Sequence, residues 1–221
     1  MKKILVFAAA MTVLFAACKK DDEVATTNIV APTFPTITFS AGQFYSINTG
    51  GSLPTVAATA YDSTLKEVAP VVIKGTDALD NTTPGLYIVT ARATNKYGYY
   101  TEENVYIAVT NVSPSINLAG KYLRSATNGI ANVTKLANGL YATDNVGGVL
   151  RTDRPDLLFP VLFVQLTDTS IDLPEQPSPV GTLAGSNEKL IRVPGDTTYQ
   201  YILAKGGNAF GTTATRVFKK Q

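Results

Sequence analysis

The chain has 221 residues, with 19 Lys and Arg against 17 Asp and Glu, a single cysteine, and no histidine or tryptophan. Without histidine there is no Ser-His-Asp triad, no Cys-His pair and no imidazole metal site, and one cysteine cannot close a disulfide within the chain. Charge is nearly balanced and no basic block occurs, so nucleic acid is not an expected partner.

Lys2 and Lys3 precede Ile4 to Ala17, an apolar run of fourteen residues interrupted only by Thr12. As a helix it would rise about 21 Å, short of a hydrocarbon core of roughly 30 Å. Residues 1–17 therefore read as a cleaved secretory leader and not as a span. Leu14-Phe15-Ala16-Ala17-Cys18 resembles the lipobox of bacterial lipoproteins, with Phe15 where leucine is usual. The resemblance implies that the Cys18 thiol receives a diacylglycerol and that palmitate-type chains moor the protein to a membrane. Lys19-Lys20-Asp21-Asp22-Glu23 resembles the export signal of surface lipoproteins in glycan-degrading gut bacteria, which implies an outer-membrane location facing outwards. Loss of the leader removes Lys2, Lys3 and both methionines, Met1 and Met11.

Residues 18–35 read as a lipid-anchored tether, because Val24 to Pro35 is rich in Thr, Ala and Pro and has no periodicity. Residues 36–112 carry strand signals. Tyr87, Val89, Ala91 and Ala93 alternate with Ile88, Thr90, Arg92 and Thr94, and Val105, Ile107 and Val109 repeat the pattern. Asn48 to Gly51, Asp80 to Gly85 and Asn95 to Gly98 supply turn chemistry between them. Thr83-Pro84-Gly85-Leu86-Tyr87, running on to Ala93-Thr94-Asn95 and Gly98, resembles bacterial Ig-like domains. That implies a β-sandwich that serves as a spacer or an adhesion unit.

Residues 113–117, with Pro114, read as a linker. Residues 118–221 form a second all-β domain. Ala137-Asn138-Gly139 joins a predicted hairpin, Leu157 to Leu166 is nearly continuously apolar, and Tyr199 to Leu203 with Thr213 to Phe218 flank Gly206-Gly207-Asn208. Strand order is not written in periodicity, so an antiparallel sandwich and a meander barrel both fit. This half resembles the C-terminal domains of Ig-containing lipoproteins of uncharacterised function. No stretch after the leader has a sustained helical stripe, and the expected class is all-β.

Candidate sites are few. Tyr97, Tyr99 and Tyr100 crowd one turn beside Asn95, Glu102 and Asn104, where they form either a platform for sugar rings or packing over the sandwich end. Arg151, Asp153 and Arg154 lie on a long connection, as a polar rim or as intraloop ion pairs. Asp144, Asp153, Asp156, Asp168 and Asp172 are the acids from which a glycosidase pair would be drawn, though most sit where Asp makes turns. Asp77, Asp80 and Asn81 have oxygen ligands suited to calcium but lack EF-hand spacing. Asp62-Ser63-Thr64 and Asp196-Thr197-Thr198 resemble short O-glycosylation acceptors. The sequence thus predicts a non-enzymatic surface lipoprotein without cofactor or metal. Its expected role is capture of a glycan for an uptake system, with structural or adhesive binding of another protein as the alternative.

Overall fold

In a computed structural model, residues 31–211 and 214–221 are described. The leader, Cys18 and the tether as far as residue 30 lie outside the described residues, as do Thr212 and Thr213. The described chain is all-β, with three short 3-10 turns besides its strands. The strands are β1 (Thr36–Phe39), β2 (Phe44–Ile47), β3 (Ala58–Asp62), β4 (Glu67–Ala69), β5 (Val71–Lys74), β6 (Gly85–Thr94), β7 (Tyr100–Val109) and β8 (Gly120–Arg124). They continue as β9 (Gly129–Ala137), β10 (Leu140–Thr143), β11 (Val161–Gln165), β12 (Ile171–Asp172), β13 (Gln176–Ser178), β14 (Gly181–Val193), β15 (Asp196–Lys205) and β16 (Arg216–Lys220).

The first seven strands form two sheets, β1-β3-β4 and β2-β7-β6-β5. The long β6–β7 hairpin is the centre of the second sheet, paired from Gly85 with Val109 to Thr94 with Tyr100. Its alternation turns Val89, Val105 and Ile107 inwards onto Phe39, Tyr45, Ile47 and Ile73, as period-two burial requires. Pro70 sits between β4 and β5, where the chain leaves one sheet for the other. It has no N–H to leave unpaired there, and its carbonyl accepts the Thr94 amide at 3.2 Å.

The remaining strands form one nine-stranded sheet in the order β12-β11-β10-β9-β8-β16-β15-β14-β13. The predicted hairpins at Ala137 to Gly139 and from Tyr199 to Phe218 are present as antiparallel β9–β10 and β15–β16. The apolar run from Leu157 divides into a 3-10 turn and the largely buried β11. The sheet curls until its ends meet, as the Gly185 amide donates to the Leu173 carbonyl and Leu190 to Thr169, at 2.8 and 2.9 Å. Rings fill the curl. Tyr199 stands at 4.8 Å from Tyr122, 5.0 Å from Phe218, 5.7 Å from Phe163 and 6.0 Å from Tyr201. Peripheral hydroxyls escape the apolar centre by bonding to backbone, Tyr122 to the Leu118 carbonyl at 2.7 Å and Tyr201 to Val146 at 2.6 Å.

Residues 33–221 make up a single unit, because the two halves share packing and hydrogen bonds. Val112, Ile116 and Leu118 are buried in the curled sheet's core, and Lys135 Nζ donates to the Pro114 and Ile116 carbonyls at 3.2 and 3.1 Å. Thr110, wholly buried, donates to the Gln165 carbonyl at 2.6 Å. Ala108, Leu140 and Val164 close an apolar contact between the outer faces of the two sheets. Leu136 joins that contact as the extra residue of a bulge, since Ala137 faces Leu140 and Lys135 faces Tyr141.

Phe218 is fully buried and stacks on two tyrosines. Phe218→Ala is expected to lower the unfolding free energy by about 3–5 kcal/mol, measured by urea denaturation followed by tyrosine fluorescence.

Candidate functional site

The turn between β6 and β7 is built by Asn95, only 4% exposed. Its side-chain oxygen accepts the amides of Tyr97 and Tyr99 at 3.0 and 3.1 Å, and its amide donates to the Thr33 carbonyl and to Asp62 Oδ2 at 2.9 and 3.0 Å. Asp62 also accepts from the Thr33 hydroxyl and from the Thr64 and Leu65 amides. Burial opposes ionisation of Asp62, but these hydrogen bonds outweigh it and hold its pKa below the usual carboxylate value. Gly98, at φ +86°, takes the left-handed turn position.

The three candidate tyrosines leave this turn in different directions. Tyr99 packs on Phe34, with ring centroids 5.8 Å apart. Tyr97 is half exposed, with the Lys96 ammonium 5.3 Å from its ring centre. Tyr100 opens β7, and the Arg92 guanidinium lies 3.6 Å over its ring, close enough for a cation–π contact. The three are neighbours in sequence without forming one platform.

Arg151, Asp153 and Arg154 are held by their own loop. Arg151 pairs with Asp144, which also accepts the Asn132 backbone and side-chain amides at 2.8 and 2.7 Å. Arg154 grips Asp156 through Nε and Nη2 at 3.0 and 2.8 Å, and that contact holds the Asp156 carboxyl below its ordinary pKa. Asp153 accepts the Thr152 hydroxyl. Asp168 faces Arg192 at 3.7 Å. Asp80 accepts the Thr82 hydroxyl and amide, which together with Thr83 bring its pKa down to about 2, and Asn81 donates to the Gly51 carbonyl. These two serve the turn they occupy.

The composite surface lies elsewhere. Tyr100, Glu102, Asn104, Tyr106 and Ala108 share the outer face of β7, opposite Thr94, Arg92, Thr90, Ile88 and Leu86 of β6. Arg92 reaches Glu102 at 3.6 Å, and the Thr90 hydroxyl donates to Asn104 Oδ1 at 3.2 Å. Phe44, on the neighbouring β2, stacks on Tyr106 with centroids 5.6 Å apart and planes at 15°. Tyr100 and Tyr106 are six residues apart, about 20 Å along a strand.

Beyond Tyr106 this face runs into a cleft of about 330 Å³ between the two sheets. Phe44, Ile88 and Tyr106 form one wall, Leu136, Ala142 and Leu162 the other, and the segment from Pro174 to Pro177 the rim. Gln176 bonds both polar groups of Leu162, at 2.8 Å each, which fixes the rim to β11. Sequence reasoning missed this cleft because its walls come from distant strands. One signal was present: Leu86-Tyr87-Ile88-Val89 is apolar on both faces, so something must cover the second face.

Asp172 lies beside Val164 on the outer face of the curled sheet, two residues before Pro174. Glu188 occupies a bulge of β14 near Asn187, at φ +54°, and its carboxylate covers Gly185. Burial raises the pKa of both acids, and the Asp172 charge adds to the effect on Glu188. Neither acid has an ion-pair partner among the described residues. Glu188 was not among the candidates drawn from sequence.

No protein-family model matches the chain, and no curated protein matches it. Among solved structures it is similar to the crystal structure of a lipoprotein from Bacteroides thetaiotaomicron, at 17% identity and a TM-score of 0.40, covering 85% of this chain and 100% of that one. A likeness this slight transfers no activity.

A carboxyl with a raised folded-state pKa binds its proton before the unfolded chain does. Asp172 and Glu188 therefore add stability at low pH and lose it as pH rises through their folded values. Asp62, whose pKa is depressed, contributes in the opposite direction, with stability present above the ordinary carboxylate pKa and lost as pH falls through its folded value. Asp172→Asn is expected to raise the melting temperature at pH 7 and to flatten its pH dependence above the ordinary carboxylate pKa, measured by thermal melts in a buffer series.

Proposed function

We propose that this chain is a non-catalytic lipoprotein, anchored in the outer membrane through acylated Cys18 and facing outwards, that captures a glycan on the outer face of the β6–β7 hairpin. One observation carries the reading. Two aromatic stations, Tyr100, with Arg92 over one of its ring faces, and the Phe44–Tyr106 pair, stand about 20 Å apart on one strand face, with Glu102 and Asn104 between them. Apolar ring faces alternating with hydrogen-bonding groups suit an extended saccharide, whose rings stack and whose hydroxyls need partners.

The anchor is supported by the leader, the lipobox resemblance and the position of Cys18 at the end of the apolar run. The non-catalytic reading is supported by the engagement of Asp144, Asp156 and Asp168 with arginines. Binding of a protein partner is the second reading, favoured by the cross-strand pair Tyr61 and Val68, which are 48% and 77% exposed on β3 and β4.

Cells grown with labelled palmitate are expected to label the wild-type chain and not Cys18→Ser. Affinity gels containing a panel of neutral polysaccharides are expected to retard the full-length protein. Tyr100→Ala and Tyr106→Ala should each weaken retention about two- to tenfold, as loss of one aromatic contact predicts, while Tyr97→Ala leaves it unchanged. Retardation by no polysaccharide would turn the assignment to the protein-binding reading.

A further inference from the structure

We infer that the cleft at the end of the β7 face receives an apolar substituent, an aryl or acyl group, carried by a neutral glycan. The inference rests on the glycan reading of the adjoining strand face and goes beyond it by naming the ligand's chemistry.

The cleft has few hydrogen bonds left to offer a sugar. Gln176 spends its side-chain oxygen on the Leu162 amide, and its nitrogen on the Leu162 and Pro174 carbonyls. Glu175 is engaged by Lys205, and Asn104 Oδ1 already accepts the Thr90 hydroxyl. A hydroxyl-rich ring pushed inside would lose its water without replacement, at a cost comparable to several unmade hydrogen bonds. The Asn104 amide nitrogen and the Tyr106 hydroxyl, on residues where the strand face meets the cleft, remain for the polar part of a ligand crossing from one to the other. Size agrees. A cavity of about 150 Å³ admits benzene, so 330 Å³ holds one ring-sized group together with its linkage.

Charge selects further. Among the described residues no lysine or arginine lines the cleft. Glu175 on its rim is paired with Lys205, and Asp172, beside Val164, is about 7 Å along the chain from Pro174. Glu188 neighbours Asp172 and adds a second unpaired carboxylate. An anionic sugar would bring another negative charge to acids whose ionisation burial already opposes. Neutral sugars are therefore favoured over uronates and sulfated sugars.

The test is calorimetric titration of the full-length protein in lipid nanodiscs with phenyl and methyl β-glycosides of the same set of neutral sugars. The phenyl glycosides are expected to bind at least tenfold tighter. Ala142→Trp, which fills the cleft, should abolish that preference, and so should Ile88→Ser, a milder change at a 38% exposed position. Equal affinity for phenyl and methyl glycosides would overturn the inference and leave the strand-face reading standing. Phenyl β-glucuronide binding as tightly as phenyl β-glucoside would overturn its charge selection. Benzyl alcohol binding as tightly as the phenyl glycosides would make the cleft a general apolar site and overturn the inference. If no glycoside binds and no polysaccharide gel retards the protein, the glycan reading fails and this inference fails with it.

Discussion

The β6–β7 hairpin is apolar on both sides at the end where Leu86 pairs with Ala108 and Ile88 with Tyr106, and the rest of the architecture answers that constraint. One side is covered by the first sheet, through Val89, Val105 and Ile107. The other carries Leu86, Tyr106 and Ala108, which require a second cover. The curled sheet provides it with Leu140 and Val164, both fully buried. A bulge adds Leu136, a side chain that regular pairing would have pointed elsewhere. The cleft lies where this cover stops short, so it follows from the same packing that joins the halves.

The second half meets a different demand. A sheet curled onto itself must fill its interior, and this chain does so with tyrosines and phenylalanines packed among leucines, isoleucines and valines. Tyr122, Tyr141 and Tyr201 carry hydroxyls inwards, and each finds a backbone carbonyl at the margin: Leu118, Ile116 and Val146. Leu118 and Ile116 belong to the connection between the halves. The polar needs of the ring cluster therefore hold the segment that docks the two layers together.

Period-two alternation made β6 and the second half of β7 legible, while the short β1 to β5 carried no sustained signal of this kind, and Gly-, Asn- and Asp-rich turns placed the hairpins at Asn95 to Gly98 and Ala137 to Gly139. The sheet order was not legible, because the meeting of β14 with the segment before β13 depends on curl, which no local pattern encodes. The candidate tyrosines show the same divide. Their positions in the chain were evident, but alternation at the start of β7 sends Tyr99 to Phe34 and Tyr100 to the opposite face. Crowding in sequence therefore did not become a cluster in space. Ile88 lies on the accessible side of its strand, as alternation implies, but that side is a cleft wall, because the cover facing it comes from residues about fifty or more positions away.

The pinned connection has a consequence for how quickly the protein can work. Thr110 and Lys135 fasten the segment between the layers at several points, so no hinge separates the two walls of the cleft. A recess that must shut around its occupant spends part of its encounters in the wrong posture, whereas this one is ready-formed for whatever enters it. Arrival of a ligand is then governed by diffusion and orientation, and discrimination falls to how long the visitor stays.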